Sequence, residues 1–268
     1  MGQRLSAWRR DFSPALVILI LTLGFSTQTW AADQATDERT SLKVAALFDG
    51  HSDQTIDAFL MRLRPTPLDE ASRAKVLASL PNDGEVRPSR KDSGKLLQAQ
   101  RVLDYSCPSG AITMKVVMMD SAFVGLYYRT VVLVSAKALA LLSAEELTAL
   151  VAHETGHDVD WNDYWTAMKS QDNERMRELE LKADGIAILT LEHLGIDPRQ
   201  LESAIQKTIR YNDWQDRAAG ATPQSLAFNS ADRYVSLDER LAFIHAIEKM
   251  RWADWPAPES ANLRQVRK

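Results

Sequence analysis

Residues 153–157 read His153-Glu154-Thr155-Gly156-His157, and twenty-three residues after the second histidine come Glu180-Leu181-Lys182-Ala183-Asp184. On a helix, residues four apart share a face, so His153 and His157 can turn both imidazoles toward one cation. Glu154 then reaches a water beside the ion rather than the ion itself. Glu180, on a second helix, can complete a set of three ligands. Asp184, one turn later, falls on the same stripe and can accept the free N–H of a ligand histidine, which fixes its tautomer and basicity. Three protein ligands leave a fourth position of Zn2+ open, the mark of a catalytic site, whereas structural zinc takes four ligands rich in cysteine. The chain has one cysteine. The pattern therefore implies one Zn2+ per chain and hydrolysis of a peptide bond, with Glu154 as general base toward a zinc-activated water.

The surroundings of the pentad fit a buried helix. Ser143-Ala144-Glu145-Glu146 has the form of a capping box, and Leu147, Leu150 and Val151 lead an apolar stripe into the histidines. The spacing predicts a motif helix over 144–158 and a third-ligand helix over 173–194, with Glu180, Ala183, Asp184, Ala187 and Leu191 on one face. Shorter helices are expected over 55–63, 68–80, 95–103, 136–142, 198–209 and 237–250, with loops over 81–94 and 210–234. The β-rich runs 111–119 and 127–134 predict a small sheet, so the fold class is α+β and mainly helical. Residues 129–134 are read as an edge strand beside the metal, able to pair with an extended peptide, the alternative being an interior strand with both edges covered. Trp161, Tyr164 and Trp165 either line a cleft or pack on neighbouring helices.

Taken together, these segments resemble family forty-eight of the zinc metallopeptidases, the HtpX-like and prenyl-protease group of gluzincins, whose members pair HExxH with a downstream ExxAD. Ser121-Ala122-Phe123 is similar to the family's Asn-Ala-Phe segment, and His193-Leu194-Gly195-Ile196-Asp197-Pro198 to its Gly-x-Asp-Pro helix exit. Ser236-Leu237-Asp238-Glu239-Arg240-Leu241 resembles the end of its His-Pro-Ser-x-x-x-Arg-Ile element. The likeness runs over about residues 100–247. It implies a zincin-like domain with the small sheet beside the HExxH helix. Where the family carries a histidine facing the site, this chain has Tyr234, followed by Val235 in place of proline. A tyrosine hydroxyl can donate to an oxyanion, so Tyr234, supported by Arg240, is the expected donor, the alternative being a tyrosine that anchors a C-terminal loop.

Arg4, Arg9 and Arg10 precede an apolar run over 15–25 and then Thr29-Trp30-Ala31, with small residues at the positions a signal peptidase reads, the form of a cleaved secretory signal. The run is shorter than the roughly twenty residues of a comfortable span, so a periplasmic enzyme with no stable membrane span is expected, and an uncleaved anchor is the alternative. The divisions expected are a signal over 1–31, a helical extension and linker over 32–94, the metallopeptidase domain over 95–252 and a tail over 253–268. A net charge of −4 without a basic cluster beyond the signal argues against nucleic acid; the motif and the resemblance imply protein or peptide substrates, misfolded or envelope proteins among them. The rival reading is a chaperone-like quality-control factor of the envelope with a latched or inactive zinc site. Cys107 reads as a small buried residue at a turn, and His51, His193 and His245 as exposed or structural.

Overall fold

The computed structural model describes residues 55–80, 85–218, 220 and 235–254, with side chains in the last segment only to residue 248. Tyr234, His51 and the signal-like N-terminus lie outside the described residues. Chain order gives α1 (Ile56–Leu63), α2 (Glu70–Ser79), α3 (Arg90–Ser106), β1 (Thr113–Val117), β2 (Val124–Tyr127) and β3 (Val131–Ser135). Then follow α4 (Ala136–Leu141), α5 (Ala144–Val159), α6 (Trp161–Ser170), α7 (Asn173–His193), α8 (Arg199–Ala218) and α9 (Leu237–Asp254). The described chain is mainly helical with one small sheet, the α+β class expected. Among the described residues no helix is long and apolar enough to cross a membrane.

Most helix starts follow from a capping side chain. Thr55, Asp69, Ser89 and Ser135 each accept a backbone N–H from the first turn of α1, α2, α3 and α4. Ser143 and Glu146 form the reciprocal capping box of α5. Ser89 starts α3 at Arg90, five residues before the expected 95, inside a stretch whose Pro, Gly and Ser content reads as loop. Similarly, α8 continues through the polar residues 210–218, which were expected to be loop, because it is amphipathic and turns Ile205, Thr208, Ile209 and Asn212 inward.

The sheet has the order β1-β3-β2, parallel between β1 and β3 and antiparallel between β3 and β2. Two expectations are corrected here. The run 127–134 is not one strand but the end of β2, a tight turn and most of β3. The segment 129–134 is not an edge either, since β3 is central and all five of its residues are buried. A strand covered on both faces needs no polar alternation, which is why Val131-Val132-Leu133-Val134 is continuously apolar. The edge strand on the motif-helix side is β2, which packs against α5 and has Val124 and Gly125 buried.

The core sits between α3, α5 and α7, with Val102, Leu103, Leu147, Val151, Ile188 and Leu191 all buried in it. Helix α5 is enclosed nearly all round, and every residue from Glu146 to Asp158 is buried. So buried a helix is ordinarily apolar, and the histidines and carboxylates it carries instead must find partners in the interior. Helix α1 lays Ile56, Phe59 and Leu60 on Ile186 and Leu189 of α7, so the N-terminal extension packs against the helix that carries Glu180.

Candidate metal centre

Helices α5 and α7 bring four of the expected residues together. His153, Glu154 and His157 form a buried group that can hold a metal ion, their donor atoms all within 4.8 Å of one another. His153 Nε2 lies 3.1 Å from His157 Nε2. Glu180 Oε2 is 3.4 Å from the former and Glu180 Oε1 3.6 Å from the latter. Ligands at the roughly 2.0–2.2 Å usual for zinc bound by nitrogen or carboxylate oxygen stand about 3.3–3.6 Å apart on a tetrahedron's edges, so this triangle has the right size. Glu180 Oε1 is buried and has no hydrogen-bond partner among the described residues, an arrangement that a cation at the centre of the triangle would resolve.

Charge balance argues the same way. Glu154, Glu180 and Asp184 are buried beside a single buried guanidinium, that of Arg240. Ligation requires neutral imidazoles, and in that state these four groups carry two net negative charges, which a divalent cation neutralises; without an ion, a proton on His153 offsets one of them.

Behind the imidazoles, His153 Nδ1 donates to Asp184 Oδ1 at 2.8 Å, which leaves Nε2 directed at Glu180 and His157. Asp184 is in turn gripped by both ends of Arg240: Nε donates to Oδ2 at 2.7 Å, and a second nitrogen donates to Oδ1. That second nitrogen lies 3.3 Å from His153 Nδ1. Arg240 therefore stands behind His153, engaged by Asp184.

Burial sets most of the titration behaviour. It pulls the His153 pKa down, but the Asp184 and Glu180 carboxylates override it and raise the imidazole to about 9. His157 is lowered by burial to about 4, against the opposing pull of the Glu180 carboxylate. Burial lifts Glu154 to about 7, against the pull of His153 and the Leu126 N–H. Asp184 goes the other way: burial would raise it, yet Arg240 and His153 hold it at about 2. A base poised near neutrality beside two imidazoles, one fixed by a carboxylate, matches what acid–base chemistry on a water requires.

Two contributors escaped the sequence reading. The Leu126 N–H donates to Glu154 Oε2 at 2.8 Å, fixing the base against β2; a main-chain group leaves no trace in sequence. Asn212 of α8 accepts from Ala122 N–H at 2.8 Å and donates to Ala122 C=O at 3.0 Å, standing in for a neighbouring strand just before β2. It lay in a stretch read as polar loop. Phe123 and Tyr127 bond toward Ser135 and Thr130 on the hairpin side, so Ala122, Val124 and Leu126 turn their main-chain groups away from β3.

Of the other candidates, Cys107 is buried and unpaired, its sulfur 3.4 Å from Ser109 Oγ. His193 stacks on Tyr105, and His245 is an exposed partner of Glu202. No protein-family model and no curated protein matches this chain.

Proposed function

We propose that the chain is a zinc-dependent endopeptidase that hydrolyses peptide bonds of exported proteins, misfolded or envelope proteins among them. The observation that carries this reading is the buried triangle of His153, His157 and Glu180, with its orphaned carboxylate oxygen, beside a separate glutamate tied to an edge strand. His153, His157 and Glu180 would hold the zinc. When bound, zinc supplies Lewis acidity that acidifies a water and polarises the scissile carbonyl.

Glu154 takes the proton of the attacking water and returns it to the leaving amine, with Leu126 N–H fixing its carboxylate through Oε2. Asp184 holds His153 in the tautomer whose Nε2 faces the ion, and Arg240 positions Asp184. Substrate pairs as an extended strand with the outer edge of β2, where the Leu126 main chain lies beside the base. The resemblance to family forty-eight and the signal-like first thirty residues support a periplasmic peptidase, with Tyr234 as oxyanion donor.

Glu154→Gln tests the assignment. It should lower hydrolysis of unfolded casein by about 10²- to 10⁴-fold, the usual worth of a general base, while one zinc per chain stays bound. His153→Ala should lose both metal and activity. Casein digestion by Glu154→Gln at the unaltered rate would sink the mechanism.

A further inference from the structure

Beyond Leu126 the chain turns back on itself through Tyr128 and Arg129, with φ of 42° and 58°. The turn closes with Thr130 N–H donating to Tyr127 C=O at 3.0 Å. Two consecutive left-handed residues make a hairpin turn of the kind that favours Asn-Gly, and a tyrosine and an arginine there store strain. The surroundings hold it. Arg129 Nε donates to buried Asp158, the residue after His157, and another of its nitrogens donates to Thr66 C=O at 2.8 Å.

What the strained turn delivers is the Tyr128 ring, set 5.2 Å from Trp165 and 6.3 Å from Trp161 of α6. The two indoles lie 6.2 Å apart and nearly parallel. Trp161 continues to Tyr164 at 6.1 Å, and Tyr164 rests on the ring of His157 at 4.6 Å. Tyr164 also packs with Met168 against Ala167, Met176 and Leu179. Tyr128, Trp161 and Trp165 belong to no apolar cluster of the core; they are half-buried and pack on one another. The result is a continuous aromatic ledge that starts two residues past the main-chain group holding Glu154 and ends on a metal-site imidazole. Large apolar surface left half-open beside a catalytic constellation is a binding feature rather than core.

We propose that this ledge is a specificity subsite of the peptidase, and that it receives a large apolar side chain, aromatic above all, next to the scissile bond. The inference rests on the peptidase reading and deepens it. A chain laid along β2 toward the turn brings a side chain close to the bond onto Tyr128 and Trp165. Flat rings offer offset stacking to aromatic side chains and broad contact to Leu or Met. Lys169 places its ammonium 4.7 Å from the centre of the Trp165 ring, so lysine and arginine are disfavoured there by like charge.

The test is cleavage of a defined peptide mixture by the zinc-loaded full-length protein, with products mapped by mass spectrometry. Cut sites should be enriched in Phe, Tyr, Leu and Met, and poor in Lys and Arg, at one fixed position. The kcat/KM ratio of a Phe peptide to its Ala counterpart should exceed about tenfold, falling to within about twofold in Trp165→Ala and Tyr128→Ala. Trp165→Phe, which keeps a ring, should retain most of the ratio, and a thermal melt separates lost packing from lost folding. A flat preference in the unaltered protein, or an unchanged one in both alanine variants, overturns the subsite. If no form cleaves any peptide, the peptidase reading falls by itself. The ledge is then judged by tryptophan fluorescence of Glu154→Gln titrated with the Phe and Ala peptides. A response to Phe alone that is lost in the Trp165→Ala double variant upholds it; equal responses overturn it.

Discussion

Gly156 faces Ala183 so closely that a methyl group on Gly156 would stand 2.9 Å from both the Cα and the carbonyl oxygen of Ala183. Gly156 lies between the two histidines and Ala183 between Glu180 and Asp184, and their smallness lets α5 and α7 approach until Glu180 reaches the two imidazoles. The obstacle is backbone, which cannot swing aside. Gly156→Ala should therefore push the helices apart, costing about 1–3 kcal/mol of stability as overpacking does. The same displacement should weaken zinc binding by at least about tenfold, because a ligand set tolerates only a few tenths of an ångström. Thermal melts and a competitive zinc titration check the two effects, and wild-type affinity would contradict the packing argument.

Arg240 is buried with both ends on Asp184, so removing it leaves a carboxylate uncompensated in the interior. Arg240→Met should cost about 3–5 kcal/mol, far more than the loss of a surface ion pair. Adding Asp184→Asn should restore part of that, since the stranded charge goes with it. A double-mutant cycle in urea measures the coupling. If the two single losses merely add, the guanidinium and carboxylate do not act as a unit.

His153 keeps its second proton up to about pH 9, because Asp184 and Glu180 outweigh the effect of burial, and a cation must displace the Nε2 proton. Zinc affinity should accordingly rise about tenfold per pH unit through neutrality and flatten above about 9, with close to one proton released per ion. His157 is neutral down to about 4 and adds no slope in that range. For the metal-free protein the sign is opposite. A pKa raised from 6.5 gives His153 a stabilising contribution that is complete below that value and lost as pH climbs through about 9. Calorimetric titration in buffers of different ionisation enthalpy counts the protons, and Asp184→Asn should reduce the count near pH 8.

Without the ion, the proton that His153 takes up offsets only part of the buried carboxylate charge, so a bound cation should stabilise the fold. Zinc at a thousandfold excess over its dissociation constant adds about 4 kcal/mol by mass action. In a chain of this size that corresponds to roughly 8–16 °C in Tm. Chelation should lower the melting temperature by an amount of that order, and magnesium should fail to restore it, because two imidazoles suit zinc and not a hard cation.

The legible part of this chain is the part written in side chains at helical spacing. His153, His157, Glu180 and Asp184 declare themselves because i, i+4 placement on a helix is a spatial relation readable in one dimension, and Ser143 with Glu146 marks where the helix begins. The hairpin was illegible for the opposite reason. Tyr128 and Arg129 carry none of the Gly, Asn or Asp signals of a left-handed turn, and the apolar residues after them read as one continuous strand. Its energy comes from Asp158 and Thr66, remote contacts that no local pattern reports. Asn212 was hidden similarly. A single buried amide on the inner face of α8 looks, in sequence, like more of the polar surface around it.

That amide yields a prediction that separates the sheet edge from the metal. Asn212→Ala strands the Ala122 N–H and C=O in the interior, and each buried group left unpaired costs about 1–3 kcal/mol. Ala122 lies at the entry to β2, and four residues later Leu126 N–H holds Glu154, so loosening this end should let the base drift from its fixed rotation. Zinc stoichiometry and affinity should remain as they were, since no ligand is touched, while kcat falls by about tenfold or more, the scale of a small misplacement of a catalytic group. Asn212→Gln, which keeps the amide but displaces it, should lie between the two. Should Asn212→Ala bind less zinc in proportion to its lost activity, β2 would be a support of the metal helices and not a brace for the base.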